Sequence, residues 1–370
     1  MKIERTRLLG TPPIIPNVCE GPGVPGLVSV LIPTYNRAYI LRSSLDSVIA
    51  QTYQDVEIIV VDDGSKDDTK SIVDSYGGRI RYIYQENAGL AAARNTGLGA
   101  ARGEFLAFQD SDDAWFPWKL EAQVAVMRQV PELAIVWTDM TSVTPDGKVF
   151  LDKHLRTGYG TFRKIDVDDY LTKRGSLGDL ANIADNALRQ VAFSYGDIFG
   201  LMALGNIVHP PTAMMRRSCV AQSGGLDVTF AWTCEDYEFF WRVSQFGPAA
   251  LIDAPSMFYR IEGEDQLTRP DLLFDVARGY ITTLDRHFER HRRRIDLPPK
   301  LLRQHLADSY RWVGREELLS ERGRRRNAVM YLGKSMAFEA RRSTLTLLLA
   351  AVFVPRQLFS AARDLKKRLA

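Results

Sequence analysis

Residues 10–26, GTPPIIPNVCEGPGVPG, are too dense in Pro and Gly to hold a periodic pattern, so residues 1–26 read as an irregular leader. From Leu27 the pattern becomes regular. Leu27–Ile32 (LVSVLI) is an apolar, β-branched run closed by Pro33, as expected of a buried strand whose ladder stops where the N–H is missing. Residues 39–51 then place Ile40, Leu41, Leu45, Val48 and Ile49 at helical spacing. Val56–Val61 (VEIIVV) predicts a second strand that delivers Asp62, Asp63 and Gly64 into a loop, and a helix over about Asp68–Tyr76 follows. Arg81–Gln85 predicts a third strand, Gly89–Ala101 an Ala-rich helix, and Phe105–Phe108 a fourth strand ending in Gln109-Asp110-Ser111-Asp112-Asp113. Strands alternating with helices predict an α/β, doubly wound, mainly parallel sheet. Ligands of such sheets bind beyond the carboxyl ends of the strands, which places Asp62/Asp63 and Asp110/Asp112 around one cleft.

The pattern is weaker over 152–205, where Asp166–Leu171 and Gly178–Phe193 look helical and nothing names a chemistry; this reads as an acceptor-side insertion. VHPPTAMMRR, after Asn206, reads as a strand entering a turn, and Glu235–Gln245 as a helix with Phe239, Phe240 and Val243 facing inward. Beyond about Pro270 the chain is helical and Arg-rich, a helical C-terminal extension over 271–370. There is no internal repeat.

Composition narrows the class. With 370 residues, 45% hydrophobic and 25% charged, the chain has ordinary globular usage and can bury a full core, which excludes disordered, collagenous and disulfide-stapled classes. Cys19, Cys219 and Cys234 form no CxxC and no even framework, as in a reducing compartment. No apolar run reaches the roughly 18–20 residues that cross a bilayer, and MKIERTRLLGTPPIIPN has no apolar signal core. A cytoplasmic location is expected. The net charge of +3 hides an asymmetry: from Arg278 onward there are 22 Lys/Arg against 9 Asp/Glu, whereas residues 1–277 carry 26 against 36. A basic tail on an acidic body points to an anionic membrane surface or an acidic partner.

Two acidic clusters carry the chemistry. In QDSDD, carboxylates two residues apart at a strand end can approach one hard cation, and Mg²⁺ or Mn²⁺ binds through one or two carboxylates plus phosphate oxygens. Asp112 is the first choice of ligand; the plain alternative is that Asp112 or Asp113 caps a helix starting near Trp115. In VDDGSKDDT, an ionised Asp can accept from a base N–H or a ribose hydroxyl, while Asp67 or Asp68 suits the cap of the next helix.

The order of motifs resembles glycosyltransferase family 2, the inverting enzymes of the GT-A fold. The match runs through VSVLIPTYNR (28–37), VVDDGSKDDT (60–69), NAGLAAARNTGLGAARGEFLAFQDSDDAW (87–115) and GGLDVTFAWTCEDYEFFWR (224–242). The resemblance implies a GT-A domain over 27–270, with a nucleotide-binding half at 27–113 and an acceptor half at 114–270. It implies that Pro33, Thr34 and Tyr35, with Asp62 or Asp63, hold the nucleoside. It further implies that Asp110 and Asp112 bind the nucleotide sugar and metal, and that Arg94 lies near the donor. Glu235-Asp236 looks like the acceptor-side acidic motif, with Asp236 the general base; its plain alternative is an acidic helix start. His209 reads as a structural or cleft-lining histidine rather than a base. Trp232 and Tyr237 suit either sugar stacking or core packing.

The expected reaction is inverting, non-processive transfer of a sugar from a nucleotide diphosphate donor, UDP being commonest in the family, to a glycan or lipid-linked acceptor, with Mg²⁺ or Mn²⁺. Cell-surface polysaccharide or glycolipid assembly is the expected setting, with no nucleic-acid partner. Processive relatives carry Gln-x-x-Arg-Trp and transmembrane helices; here Arg311-Trp312 is present but Gln304 stands too far upstream. A non-catalytic GT-A carbohydrate-binding or scaffolding protein is the competing reading, opposed by the full set of acids. Glycosidase chemistry needs no nucleotide or metal, and PTYNR is not the Gly-rich, basic loop of a nucleotidyltransferase. In the tail, LTLLLAAVFV (345–354) precedes Pro355 and RQLFSAARDLKKRLA, whose Leu358, Phe359, Ala362, Leu365 and Leu369 share one face opposite Arg and Lys. This predicts either peripheral attachment to the cytoplasmic membrane leaflet or a helix-packing, dimerising role.

Overall fold

The computed structural model describes residues 13–180, 188–230, 233–261, 272–355 and 358–359. Of these, residues up to 261 form one compact unit and those from 272 a second.

In the first unit, strands and helices alternate through β1 (Val24–Thr34), α1 (Ala38–Ile49), β2 (Val56–Asp62), α2 (Thr69–Asp74), β3 (Ile80–Tyr84), α3 (Leu90–Ala100) and β4 (Gly103–Phe108). The four strands are parallel in the order β3-β2-β1-β4, with Val28–Thr34 of β1 in register with Val56–Asp62 of β2. Both faces of such a sheet are covered by crossover helices, which is why β1 and β2 read as nearly continuous apolar runs. The chain winds from β1 outward to β3 and returns to β4 on the other side. The crevice therefore opens where β1 and β4 end, at Thr34 and Phe108.

The second half of this unit continues the same sheet with mixed polarity. It contains β5 (Ala114–Trp115), α4 (Lys119–Gln129), β6 (Ile135–Val143), β7 (Val149–Leu151), α5 (His154–Gly158), β8 (Lys173–Ser176), β9 (Ala192–Gly196), β10 (Ala213–Arg216), α6 (Arg217–Ser223), α7 (Glu235–Val243) and β11 (Ala249–Arg260). Strand β10 runs antiparallel between β4 and β6, and β11, β9 and β8 complete the edge. The fold is a GT-A-type doubly wound, mainly parallel sheet with a helical C-terminal extension.

Two local expectations are corrected. Where Gly178–Phe193 looked helical, the described residues give two short 3₁₀ turns flanked by the antiparallel pair β8 and β9; residues 181–187 lie outside the described ones. Apolar positions in a short ribbon and in a short helix cannot be told apart by spacing. VHPPTAMMRR runs in the reverse order, a 3₁₀ turn at Pro210–Thr212 and then β10, because two prolines in succession favour a turn over a ladder.

The second unit consists of α8 (Leu273–His291), α9 (Pro299–Leu319), α10 (Arg325–Phe338) and α11 (Arg342–Phe353); α9, α10 and α11 share a core of Leu318, Ala328, Leu332 and Ala351, and α8 packs on α9. No helix among the described residues is long and apolar enough to cross a membrane. The amphipathic segment expected after Pro355 falls almost wholly outside the described residues.

Candidate active site

Strand β1 stops at Pro33-Thr34, and the loop beyond it is stitched to the loop beyond β2. Asn36, at φ 51°, donates its N–H to Ser65 Oγ at 2.8 Å and accepts Lys66 N–H at 2.8 Å, while Asp67 Oδ2 accepts Ala38 N–H at 2.9 Å. Asp67 also receives the N–H and hydroxyl of Thr69, so it secures the start of α2 as well as this wall. Thr34 is buried and its Oγ1 has no partner, whereas Tyr35 is 45% exposed. A buried hydroxyl left unsatisfied at a strand end is an open position for a ligand.

Asp62 and Asp63 are both buried and already bonded. Asp62 Oδ1 accepts Ser65 N–H at 2.8 Å and its Oδ2 accepts the Tyr82 hydroxyl at 2.6 Å. Asp63 accepts from Gln85 Nε2, Ala88 N–H and Gly89 N–H at 2.6, 2.9 and 2.8 Å, tying the end of β2 to the start of α3. Gly64, next in the chain, sits at φ +88°, and a Cβ there would lie 2.9 Å from Asn87 N, so the turn requires glycine.

The acidic turn after β4 separates its carboxylates. Asp110 Oδ1 takes Arg94 Nη2 at 2.9 Å. Asp112 Oδ2 takes two guanidiniums, Arg37 Nη1 at 2.7 Å and Arg260 Nη2 at 3.1 Å. Asp113 is 3% exposed, and burial together with Asp112 and Asp110 pushes its carboxyl well above the usual range. Neither Asp112 nor Asp113 caps a helix: α4 begins after Trp118 with no side-chain cap.

Asp110, Asp113 and His209 offer ligand atoms that all lie within 4.8 Å of one another. His209 stands in the turn before β10; its Nδ1 meets the Tyr159 hydroxyl at 3.2 Å and its buried Nε2 has no partner. Burial, then Arg94, pushes the ring down to about 3, so it is neutral and carries a free lone pair. Two carboxylates and one neutral imidazole fit a divalent cation, and a mixed O/N set suits Mn²⁺ better than Mg²⁺, which favours all-oxygen shells. Asp112 lies outside this group, on its two arginines.

Helix α7 projects Glu235 and Asp236 into the same cleft. Arg94, fully buried on α3, spans the site: Nη1 reaches Glu235 Oε1 at 2.9 Å while Nη2 holds Asp110. Burial and the adjacent Asp236 push Glu235 up to about 7. Asp236 is also raised, by burial, against the pull of Arg94; its Oδ2 accepts Asn206 Nδ2 at 3.1 Å. Phe239 and Phe240 are core, as expected, and Tyr237 stacks on Trp241 with its hydroxyl on Met202 O at 2.5 Å, which makes it a packing residue. Trp232 lies outside the described residues.

The structure thus brings Asp110, Arg94, Glu235 and Asp236 into one charged cluster. It adds four groups that sequence reasoning passed over or assigned elsewhere: Arg37, Asp113, Arg260 and Tyr159. Asp113 was visible only as a third acid in DSDD, and Arg260 and Tyr159 carry no local pattern at all.

Residues 29–192 match the family model described as Glycosyl transferase family 2. An uncharacterised glycosyltransferase of Rickettsia prowazekii is 42% identical over 110 residues, 30% of this chain and 35% of that protein. The UDP-Glc:alpha-D-GlcNAc-diphosphoundecaprenol beta-1,3-glucosyltransferase WfgD of Escherichia coli is 44% identical over 103 residues, 27% of this chain and 41% of that one. The chain therefore spans well under half the length of these relatives. Among solved structures, S. aureus TarS 1-349 in complex with UDP-GlcNAc gives a TM-score of 0.49 at 18% identity, covering 88% of this chain and 91% of that one. The mannosyltransferase PcManGT from Pyrobaculum calidifontis, in complex with GDP-Man and Mn²⁺, gives 0.47 at 18%, covering 97% and 89%.

Proposed function

We propose, on the premise that the chain belongs to glycosyltransferase family 2 through residues 29–192 and is a glycosyltransferase, that it transfers a sugar with inversion from a nucleotide diphosphate donor, UDP-linked by preference, to a hydroxyl of a glycan or lipid-linked acceptor. The observation that carries this reading is Arg94, which joins Asp110 on the donor side to Glu235 beside Asp236 on the acceptor side.

The nucleoside would lie on Pro33-Thr34-Tyr35, where the Thr34 hydroxyl awaits a partner, with Asp62 and Asp63 shaping the wall and each keeping spare acceptor capacity. A divalent cation held by Asp110, Asp113 and His209 would neutralise the departing diphosphate as a Lewis acid. Asp112 could join that shell by letting go of Arg37 Nη1 and Arg260 Nη2, which would let those groups turn to phosphate oxygens. Asp236 takes the proton from the acceptor hydroxyl as its oxygen bonds to the anomeric carbon and the bond to the diphosphate oxygen breaks. Glu235 orients the site through Arg94. One displacement inverts the centre, so NMR of the first product formed from an α-linked donor should show a β-glycoside; an α-product would sink the single-displacement mechanism.

We further propose that the C-terminal unit docks on an anionic bilayer in the cytoplasm. Helix α11 buries Thr344 and Ala351, with Leu347 and Leu348 turned toward the core, yet leaves Leu345, Leu349, Val352 and Phe353 exposed at spacings of four, three and one, a single apolar stripe with Phe353 75% exposed. The strong Lys/Arg excess of this region complements lipid phosphate.

A further inference from the structure

The ring of His209 is useful to a cation only if its lone pair, and not its proton, is on the nitrogen that faces the ligand position. A neutral imidazole carries one proton, and the hydrogen bond made by the other nitrogen decides where it sits. Nε2 is buried and has no partner in the protein, so a proton placed there would be a buried donor without an acceptor. Nδ1 has one, the Tyr159 hydroxyl oxygen at 3.2 Å.

We propose that Tyr159 is the positioning residue of the metal group: its hydroxyl oxygen accepts the Nδ1–H of His209, which fixes the tautomer and leaves Nε2 free to ligate a divalent cation beside Asp110 and Asp113. The inference rests on reading those three residues as the metal group. Histidine ligands of metals are commonly oriented in this way by a second residue at the other ring nitrogen.

The surroundings hold Tyr159 in place for this task. It follows α5, its N–H donates to Leu155 O at 3.1 Å, and α5 is itself anchored on β6 because the buried Asp139 accepts Leu155 N–H at 2.8 Å and Arg156 N–H at 3.2 Å. Four rings pack edge to face around the bond: His154 with Tyr159 and with Tyr259 at 6.2 and 5.8 Å, and Tyr259 with His209 at 5.0 Å. The His209 backbone is fixed from the other side, where its carbonyl accepts the Thr212 N–H and hydroxyl at 2.9 and 2.7 Å.

Mn²⁺ binding to the full chain, titrated by calorimetry without donor or acceptor, tests the proposal. Tyr159→Phe keeps the ring and removes the oxygen. It should weaken Mn²⁺ binding by roughly 10–100-fold, the usual cost of losing a second-residue contact to a ligand, with only a small fall in the thermal midpoint as the buried ring N–H loses its acceptor. His209→Ala should weaken binding at least as much, and adding Tyr159→Phe to it should cost nothing further. Isotope-labelled histidine NMR of the metal-free protein should show the Nδ1-protonated tautomer, lost or mixed in Tyr159→Phe. Wild-type Mn²⁺ affinity in Tyr159→Phe, or a further loss when it is added to His209→Ala, overturns the role of Tyr159 while leaving the metal group standing. Wild-type affinity in His209→Ala overturns the metal group itself, and the proposal with it.

Discussion

Arg94 and Glu235 are 141 residues apart in sequence and meet at 2.9 Å with both side chains buried. The same guanidinium holds Asp110 at 2.9 Å, so one residue of α3 fixes the acidic turn after β4 against the first turn of α7. Removing it strands the buried Glu235 carboxylate, and the half-buried Asp110, without their counter-charge. Arg94→Met should destabilise the fold by about 3–5 kcal/mol, read by urea unfolding. Arg94→Lys, a single ammonium in place of a fork, should recover part of that stability and little of the transfer rate. Wild-type stability in Arg94→Met would show that the bridge is incidental.

Glu235 makes stability depend on pH. Its folded carboxyl is raised to about 7 from an ordinary value near 4.5, so the folded state binds more protons than the unfolded state between these values. The contribution is full below about 4.5 and is lost as pH rises through about 7. In chelator, the unfolding free energy of the wild type should fall across that window, and Glu235→Gln should flatten the fall. A wild-type curve that rises from pH 5 to 7.5 with the same slope in Glu235→Gln would contradict this.

The first half of the fold was legible because its strands are buried on both faces and its turns need particular residues: LVSVLI, VEIIVV and the Gly64 turn leave few alternatives. The acidic cluster was legible as a cluster, but not which acid does what. Asp110, Asp112 and Asp113 look alike in sequence; their surroundings diverge because Arg94 claims one, Arg37 and Arg260 side chains claim the second, and the third is buried against the Arg260 N–H. His209 and Tyr159 are joined only by the packing of two turns 50 residues apart, and no local pattern encodes that. The β8/β9 ribbon escaped for a plainer reason, a period too short to distinguish strand from helix.

The three acids should separate experimentally. Asp113→Asn should weaken Mn²⁺ binding in the absence of donor, as His209→Ala should. Asp112→Asn should have a smaller effect on the donor-free affinity but a large one on the affinity measured with a nucleotide diphosphate present, since only then are Arg37 and Arg260 drawn to phosphate. Excess EDTA should abolish transfer in all forms. Equal losses with and without nucleotide for Asp112→Asn would make it an ordinary ligand of the cation.

Flotation with vesicles containing anionic lipid should carry the wild-type chain, and Leu349→Ser/Phe353→Ser should release it while leaving donor turnover in solution intact. Neutral vesicles should bind less, because charge complementarity is part of the attraction. If vesicles are ignored and sedimentation instead shows a dimer that the double substitution breaks, the stripe of α11 is an interface between two copies.

The most direct measurement is nucleotide diphosphate release from UDP-, GDP- and dTDP-sugars with Mn²⁺, run in parallel on the wild type and Asp236→Asn, with donor affinity measured separately by calorimetry. The account predicts turnover of one nucleotide class by the wild type. It predicts a loss of roughly 10²–10⁴ in rate for Asp236→Asn, with donor affinity nearly unchanged. Donor binding without turnover in the wild type, or near wild-type transfer by Asp236→Asn, would contradict it.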